Sequence, residues 1–347
     1  FEVRPDVSTK ISGLTVTGGA TYGVPGGPVA DGGGILNRGD LTLDAVVIAG
    51  NSAGRAAYGG GIHNATTLTL RNSTVEGNTA AFDGGGIYNA SVIAVSNSTI
   101  AGNEVQLGRG GGLVSASTAS LNNVTIYLNT AGAPASDSVA NLVNGSTGTM
   151  SIANSIVAGA GDSANCAGAI QSLGHNLEDA NTCAFDVEGD LTGVDPQLET
   201  LGDNGGSTPT HALGDGSPAI DAGGPLTCET TDQRGYPRPA DGNGDTIAVC
   251  DIGALEAGAR PLGDADCDFD VDSLDALWVC ATSPASSPTP LVWRPPATPT
   301  ATRSSTAAMR SRSSAWWRAC PRSARRAALP SASASALRAP PLAGGRA

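Results

Sequence analysis

Residues 59–78 read "GGGIHNATTLTLRNSTVEGN", and the same plan recurs on both sides of this stretch. The phrase beginning at Gly32 is "GGGILNRGDLTLDAVVIAGN", and the phrase beginning at Gly84 is "GGGIYNASVIAVSNSTIAGN". Each copy opens on three glycines, an aliphatic residue and an asparagine. The closing asparagines lie 27, 25 and 26 residues apart, at Asn51, Asn78, Asn103 and Asn129. Such regular spacing indicates a structural repeat of about 26 residues.

Aliphatic residues hold fixed positions inside each repeat. Three, eight and ten residues before the closing asparagines lie, in turn, Ile48, Val75, Ile100 and Ile126; Leu43, Leu70, Val95 and Leu121; and Leu41, Leu68, Ile93 and Ala119. A later repeat supplies Met150, Ile152 and Val157, and an earlier partial one supplies Ile11 and Val16. Within a repeat, "LTLRNSTV" alternates apolar and polar residues with the period of two that a half-buried strand requires.

The repeat leaves no room for helices between its strands. A unit of about 26 residues made of short strands and turns matches a solenoid in which each repeat is one coil. Stacked coils lie about 4.8 Å apart, so that backbone pairing runs from coil to coil and the aliphatic columns fill the interior. The sequence therefore predicts an all-β fold, a parallel β-helix over residues 1–160.

The motifs "GGGIxN" and "NSTIxGN" resemble those of right-handed parallel β-helix proteins from bacterial surfaces. The resemblance covers residues 8–160. It implies a right-handed solenoid but no particular activity, because the same scaffold hosts lyases, hydrolases and adhesins.

Glycine and asparagine have structural roles in this scheme. Glycines such as Gly59 allow a positive φ and a close approach between equivalent turns of neighbouring coils. Two asparagine columns are expected, one of Asn37, Asn64 and Asn89 and a second of Asn72, Asn97, Asn123 and Asn154. Amides stacked at strand spacing can bond to one another as a ladder.

Composition divides the chain into two parts. Up to Asp275 there are 32 Asp and Glu residues against 9 Lys and Arg, whereas ten Arg and no acid follow, which gives a net charge of -13. No run of about 18 apolar residues exists that could span a membrane. The chain begins at Phe1 in mid-pattern and without methionine, which suggests a piece of a longer, exported precursor.

Four of the seven cysteines form two local pairs, Cys166 with Cys183 and Cys228 with Cys250. They lie in a Gly- and Pro-rich segment without the Cys-x-x-Cys spacing of metal sites. We therefore expect two disulfides and an oxidising compartment, which places the protein outside the cell or at its surface.

In residues 161–260 the repeat is absent and the sequence is typical of loops. It includes "DPQLETLGDNGGSTPTHALGDGSPAIDAG", "DQRGYPRP" and "CDIGALE". These phrases resemble the C-terminal domain of bacterial exported proteins called choice-of-anchor Q. The resemblance implies a domain that follows secreted or surface-displayed β-helices, to which no reaction is assigned. Because an open solenoid end exposes unpaired backbone groups, we expect this segment to be a cap.

Residue types of a hydrolase triad occur in that segment at His211, Ser217 and Asp221. Ser217 precedes a proline in a Gly-Asp-Gly-Ser-Pro turn, and no strand–elbow–helix pattern surrounds it. We interpret the three as turn residues. Arg234 and Arg238 are expected to pair with nearby carboxylates rather than to clamp a substrate.

The coils hold few candidates for sugar-cleaving chemistry. The acids and bases on turns are Asp31, Asp40, Asp44 and Asp83 with Arg38, Arg55, Arg71 and Arg109. No two of these acids share a column on adjacent coils, so the paired carboxylates of glycoside hydrolysis are not evident. His63 occupies the position held by Leu36 and Tyr88 in neighbouring repeats, which favours a packed or surface residue.

One loop has clear ligand chemistry. Within residues 263–279, the phrase "GDADCDFDVDSLDAL" (residues 263–277) places acids at calcium-loop offsets, namely Asp264, Asp266, Asp268, Asp270, Asp272 and Asp275. The phrase resembles the first half of a dockerin and implies Ca2+ and a cohesin-like partner. Two features depart from that family: Phe269 replaces the usual glycine, and no second loop follows. The alternative to a calcium loop is that these six aspartates form a solvated acidic segment.

Residues 280–347 mix Pro, Ser, Ala and Arg without periodicity, a composition typical of a disordered tail. Its abrupt onset near Leu277 leads to the hypothesis of a GC-rich gene read in a shifted frame. An uninterrupted second Asp-rich loop in another frame would support this on resequencing. The rival interpretation is a basic tail for nucleic acid or an anionic surface. The lack of lysine and of a fold signal, together with the acidic body, disfavours it, so no nucleic-acid partner is expected.

Together these features predict an exported bacterial β-helix, monomeric, acting in binding or display. Its expected partner is an extracellular polysaccharide or another surface, contacted without chemical change. No residue is assigned a catalytic or cofactor-binding role apart from the calcium loop. The alternative function is a polysaccharide lyase or glycoside hydrolase, which would leave new reducing ends or unsaturated products.

Overall fold

Short parallel strands, stacked coil upon coil, account for most of the regular structure. The computed structural model describes residues 1–22, 31–54, 57–132, 138–264 and 271. The first coils contain β1 (Glu2–Val3), β2 (Ser8–Ser12), β3 (Thr15–Thr17), β4 (Ala20–Thr21), β5 (Ile35–Asn37), β6 (Asp40–Asp44), β7 (Val47–Ala49), β8 (Ser52–Ala53), β9 (Ile62–Asn64), β10 (Thr67–Arg71), β11 (Thr74–Glu76) and β12 (Thr79–Ala80). The later ones contain β13 (Ile87–Asn89), β14 (Val92–Ala101), β15 (Glu104–Val105), β16 (Leu113–Ser115), β17 (Thr118–Tyr127), β18 (Thr130–Ala131), β19 (Val139–Asn144), β20 (Thr149–Ala153), β21 (Ile156–Ala158), β22 (Ala164–Ala167), β23 (Ile170–Ser172), β24 (Leu177–Glu178) and β25 (Leu191–Thr192).

The strands form three sheets that run the length of the solenoid. Sheet A has the order β1-β5-β9-β13-β16-β19-β22, and sheet C has the order β18-β15-β12-β8-β4. Sheet B has 13 strands and bends at a corner, since each coil contributes a strand such as β10 and then one such as β11. All pairings between these strands are parallel, and the described residues contain no helix. The predicted all-β, right-handed parallel β-helix is therefore confirmed.

The register matches the predicted columns. Val75 pairs with Ile48 on one side and with Ile100 on the other. The partial first coil joins the same columns, because Ile11 pairs with Leu43 and Val16 with Ile48. The columns are buried in one continuous core, against which the partly buried Ile11 and Val16 pack. Burial of each aliphatic side chain contributes roughly 1.5 to 3 kcal/mol, which explains how a chain with few aromatic residues supports a core.

The first predicted asparagine ladder is present. Asn37 donates from Nδ2 to Asn64 Oδ1 at 2.7 Å, and Asn64 donates to Asn89 Oδ1 at 2.7 Å. A second ladder lies elsewhere than expected, in the column of closing asparagines. Its amide-to-oxygen bonds are all 2.9 Å, and they run through Asn51, Asn78, Asn103, Asn129 and Asn141.

The prediction of a further ladder was wrong. It concerned the column of Asn72, Asn97, Asn123 and Asn154. These residues form the corner of sheet B, each with a positive φ between 43° and 53°. Asparagine tolerates this left-handed conformation better than most residues. Their side chains turn to other partners: Asn97 Nδ2, for example, donates to Thr231 O at 2.8 Å.

The opening turn requires glycine for two reasons, a positive φ and a lack of room for a side chain. Gly59 has a φ of 69°. A Cβ on Gly60 would collide with the carbonyl oxygen of Gly85 in the next coil. The triple glycine thus lets three backbone turns stack directly on one another.

The coils extend beyond residue 160, where the sequence had placed their end. β22 pairs with β19, β23 with β20, and β24 with both β21 and β25. Parallel pairing therefore reaches Thr192. Cys166 lies on the last strand of sheet A, and Cys183 and Phe185 join the main core there. The disulfide loop from Cys166 to Cys183 thus packs on the core at this end of the sheet.

Residues 193–262, called here the lateral segment, run along the side of the solenoid, which corrects the expectation of an end cap. They contact the corner of sheet B over several coils. Thr208 Oγ1 donates to Asn72 O at 3.1 Å, and Gly224 N donates to Asn154 Oδ1 at 2.7 Å. The corner asparagines bind this segment instead of one another.

Candidate functional site

Aromatic side chains gather on the outer side of sheet A, beside the turn that leads into it. His63 and Tyr88 are paired neighbours on β9 and β13, and they point away from the core because Ile62 and Ile87 point into it. Tyr58 and Phe82 precede the glycine turns of the same two coils. These four residues are called here the aromatic face.

The rings of the aromatic face are in mutual contact. The centroids of Tyr58 and Tyr88 lie 4.8 Å apart, and those of His63 and Tyr88 lie 5.3 Å apart. Phe82 contacts Tyr58 at 6.0 Å. All four residues are half-buried, so part of each ring remains accessible to solvent. A contiguous, partly exposed aromatic cluster is one kind of surface that can serve in recognition.

Two carboxylates flank the aromatic face in a single column. Asp31 Oδ1 accepts the backbone N–H of Tyr58 at 3.0 Å, and Asp83 Oδ1 accepts that of Arg109 at 2.8 Å. Because the column runs Asp31, Tyr58, Asp83, the two acids are on alternate coils, about 9.6 Å apart along the axis. This agrees with the expectation that no two of these acids share a column on adjacent coils.

Histidine 63 is neutral at neutral pH. Burial lowers the pKa of His63 from its ordinary value of 6.5, outweighing the opposing effect of Asp31. His63 Nδ1 lies 3.5 Å from Asp31 Oδ2, too far for a hydrogen bond, and Nδ1 has no such partner among the described residues. Burial, together with Tyr58 and the two aspartates, raises the pKa of Tyr88. Both shifts favour the uncharged forms of His63 and Tyr88.

The remaining coil candidates are spread over other surfaces. Asp44 binds Lys10 at 2.8 Å and Arg71 at 3.0 Å; burial opposes, but these hydrogen bonds together lower the pKa of Asp44. Arg38 lies 3.4 Å from Glu2, and Asp40 is exposed. Arg55 lies outside the described residues.

The triad-like residues do not meet. Ser217 Oγ donates to Pro196 O at 2.6 Å, and His211 Nδ1 bonds to Glu199 O at 2.7 Å. The Asp221 carboxylate accepts the backbone N–H groups of Gly242 and Asn243. No hydrogen bond joins the three side chains, so the structure contains no such triad.

Arg234 and Arg238 pair with carboxylates as predicted. Arg234 Nη2 lies 2.6 Å from Asp232 Oδ2, and Arg238 Nη1 lies 3.1 Å from Glu256 Oε2. The phrases "DQRGYPRP" and "CDIGALE" thus form one buried network. Within it, burial and the neighbouring Glu256 raise the pKa of Asp251 to about 8. This network joins two loops of the lateral segment, and its three carboxylates, Asp232, Asp251 and Glu256, are fully buried.

Both predicted cysteine pairs are disulfides, Cys166 with Cys183 and Cys228 with Cys250. Five of the predicted calcium ligands, Asp266, Asp268, Asp270, Asp272 and Asp275, lie outside the described residues; Asp264 is described. The Ca2+ site and the cohesin-like partner stay predictions of the sequence. In the described ranges, no three His, Cys, Asp or Glu side chains are arranged to hold a metal ion.

Tyr58, Phe82 and Tyr88 were not predicted as site residues. In the preceding coil, the equivalent positions hold Asp31 for Tyr58, Ala57 for Phe82 and His63 for Tyr88, so no column of like residues marks them. The available sign was a cluster of aromatics in residues 58–88, in a chain that is only 4% aromatic.

Comparison with known proteins adds no further assignment: no family model, curated protein or solved structure matches the chain. Among the described residues, none belongs to a helix of the length and apolarity needed to cross a bilayer.

Proposed function

We propose that the protein binds an extended polysaccharide outside the cell, on the aromatic face. The observation that carries this proposal is the contact array of Tyr58, His63 and Tyr88 on a rigid sheet. Aromatic rings cover the apolar C–H faces of sugar rings, and polar tips beside them accept hydroxyl groups. The flanking Asp31 and Asp83 supply acceptors for those hydroxyls.

The geometry of the coils suits a polymer. Equivalent side chains two coils apart are about 9.6 Å apart, comparable with the repeat of an extended disaccharide. Because the strands pair in register, this spacing is fixed before a ligand arrives, which reduces the ordering entropy that binding must overcome. The two disulfides are compatible with an oxidising, extracellular location, and export is part of this proposal.

Truncation of the aromatic face tests the proposal. We expect Tyr88→Ala to weaken binding to the preferred member of a panel of neutral and acidic polysaccharides by at least tenfold, because a central aromatic contact is lost. Isothermal titration or affinity electrophoresis measures this. The matched control is Tyr22→Ala, since Tyr22 is 79% exposed and outside the aromatic face. Equal affinity of the Tyr88→Ala variant and the wild type would rule out this face.

A second candidate function is glycoside hydrolysis on the same face. It is favoured by the placement of Asp31 and Asp83 on either side of Tyr58, two coils apart. Inverting hydrolases hold their two carboxyl groups about 6.5 to 9.5 Å apart. New reducing ends after incubation, lost in both Asp31→Asn and Asp83→Asn, would establish the enzyme; unsaturated products would instead indicate a lyase. Binding without any product supports display.

A further inference from the structure

A groove of about 370 Å3 lies between the outer side of sheet B and the lateral segment. This volume is in the range of small-molecule sites, about 300 to 1,000 Å3. The groove is on a different sheet from the aromatic face. Its lining from the coils includes Glu76, Ala101 and Tyr127, and its lining from the lateral segment includes Leu198, Leu201 and His211.

The floor of the groove follows from strand register. Glu76 pairs with Ala101, and Ala101 pairs with Tyr127, so the three lie side by side on consecutive coils. The small alanine separates the carboxyl group from the phenol ring, and the two are about 9.6 Å apart along the axis.

Histidine 211 brings an unpaired acceptor to this groove. Its Nδ1 bonds to the carbonyl oxygen of Glu199 at 2.7 Å, so Nδ1 carries the proton and Nε2 is a bare acceptor. His211 is only 4% exposed, and Nε2 has no hydrogen-bond partner among the described residues. The ring meets Tyr127 edge-on at 5.0 Å. An unpaired buried acceptor is unfavourable unless a ligand donates to it.

Charge narrows the class of ligand. Glu76 and Glu199 line the groove, and no lysine or arginine does. Burial raises the pKa of Glu76, and burial lowers the pKa of His211, which favours its neutral form. The side chains offer acceptors, an aromatic ring and aliphatic carbon. An anionic sugar would be repelled, whereas an ammonium group would gain from the carboxylate and from the ring.

We propose that this groove binds a sugar residue that carries a protonated amino group. The ammonium group lies toward Glu76, a hydroxyl donates toward His211, and Leu198 and Leu201 cover the apolar side of the ring. This inference names a glycan class for a second site. It rests on the proposed function only in assigning a glycan to the protein.

Calorimetric titration with three monosaccharide probes tests this site: glucosamine, N-acetylglucosamine and glucuronic acid. We expect glucosamine to bind at least tenfold more tightly than the other two. Glu76→Gln should remove this preference, and Glu104→Gln, which changes an exposed acid on sheet C, should retain it. Equal binding of glucosamine and N-acetylglucosamine, or an unchanged preference in Glu76→Gln, overturns the proposal.

A second measurement does not depend on the variants. In the wild-type protein, the NMR signals of the His211 imidazole should shift on addition of glucosamine and stay unchanged with glucuronic acid. Absence of a shift with glucosamine overturns the proposal even if Glu76→Gln fails to fold.

The proposals for the two sites can be tested independently of each other. Tyr88→Ala should leave the glucosamine response of His211 intact, whereas Glu76→Gln should leave polysaccharide binding at the aromatic face intact. Suppose that the protein binds no polysaccharide, yet glucosamine shifts the NMR signals of His211. This result would contradict the proposed function and support this inference. The reverse result would contradict this inference alone.

Discussion

The coils and the lateral segment are held together by different interactions. The coils repeat the same aliphatic side chains and the same asparagine amides from one turn to the next. The lateral segment repeats nothing, and it buries a network of charged residues comprising Asp232, Arg238, Asp251 and Glu256. In the described coils the only buried charged residue is Glu178.

This difference teaches where each region is vulnerable. The aliphatic columns and asparagine ladders of the coils depend on hydrophobic burial and on neutral hydrogen bonds, neither of which changes with pH in the physiological range. The lateral segment depends on carboxylates whose charge is disfavoured by burial. A change of pH or of sequence that destabilises one region and not the other therefore tests this comparison directly.

The largest expected effect is a pH dependence confined to the lateral segment. Burial beside Glu256 raises the pKa of Asp251 from 3.8 to about 8, so the folded state holds its proton more tightly than the unfolded state. The resulting stability is fully present below pH 4 and is lost as the pH rises through about 8. The loss should be of the order of 5 kcal/mol. Urea unfolding at pH 4 to 9 measures it.

A matched pair of variants checks the source of this dependence. Asp251→Asn should flatten the pH profile, while Asp162→Asn, a change at an exposed turn, should retain it. Hydrogen exchange should locate the loss in residues 193–262 and not in the coils. A flat profile in the wild-type protein would contradict the assignment.

Next in size is the effect of breaking the ladder inside the coils. Asn78 donates to Asn103 Oδ1 at 2.9 Å and to Ile48 O at 2.8 Å, and its own oxygen accepts from Asn51. Asn78→Ala leaves these buried groups unpaired, so we expect the free energy of unfolding to fall by about 3 kcal/mol at every pH. Urea unfolding measures the fall. The exposed Asn181→Ala is the control.

The coils could be predicted because their aliphatic and asparagine residues recur at a regular spacing in the sequence. A column such as Ile48, Val75 and Ile100 is visible in the sequence, and stacking turns equal spacing into contact. The same reasoning failed at Asn97, since spacing alone does not reveal whether a side chain meets the next coil or another segment.

The lateral segment and both sites could not be placed from the sequence. A segment without repeats has no register to align, so its position along the solenoid depends on single contacts such as that of Gln233 with Thr99. The groove combines Glu76 with His211, which lie in different regions of the chain. Neither residue belongs to a motif that would have indicated the other.

The smallest expected effect concerns the attachment of the lateral segment. Gln233 bridges two coils: its Oε1 accepts from Thr99 Oγ1 at 2.7 Å, and its Nε2 donates to Thr74 Oγ1 at 2.9 Å. Gln233→Ala should lower the free energy of unfolding by about 2 kcal/mol, less than Asn78→Ala, because the corner asparagines still hold the segment. Urea unfolding measures this, with the exposed Gln106→Ala as control.

Hydrogen exchange adds a test of location for Gln233→Ala. Exchange should accelerate in residues 193–262 and remain slow in strands such as β14, since the coils keep their own ladders and core. If the coils open to the same extent as the lateral segment, the two regions unfold as one cooperative unit. The contrast between them would then describe their chemistry but not their independent stability.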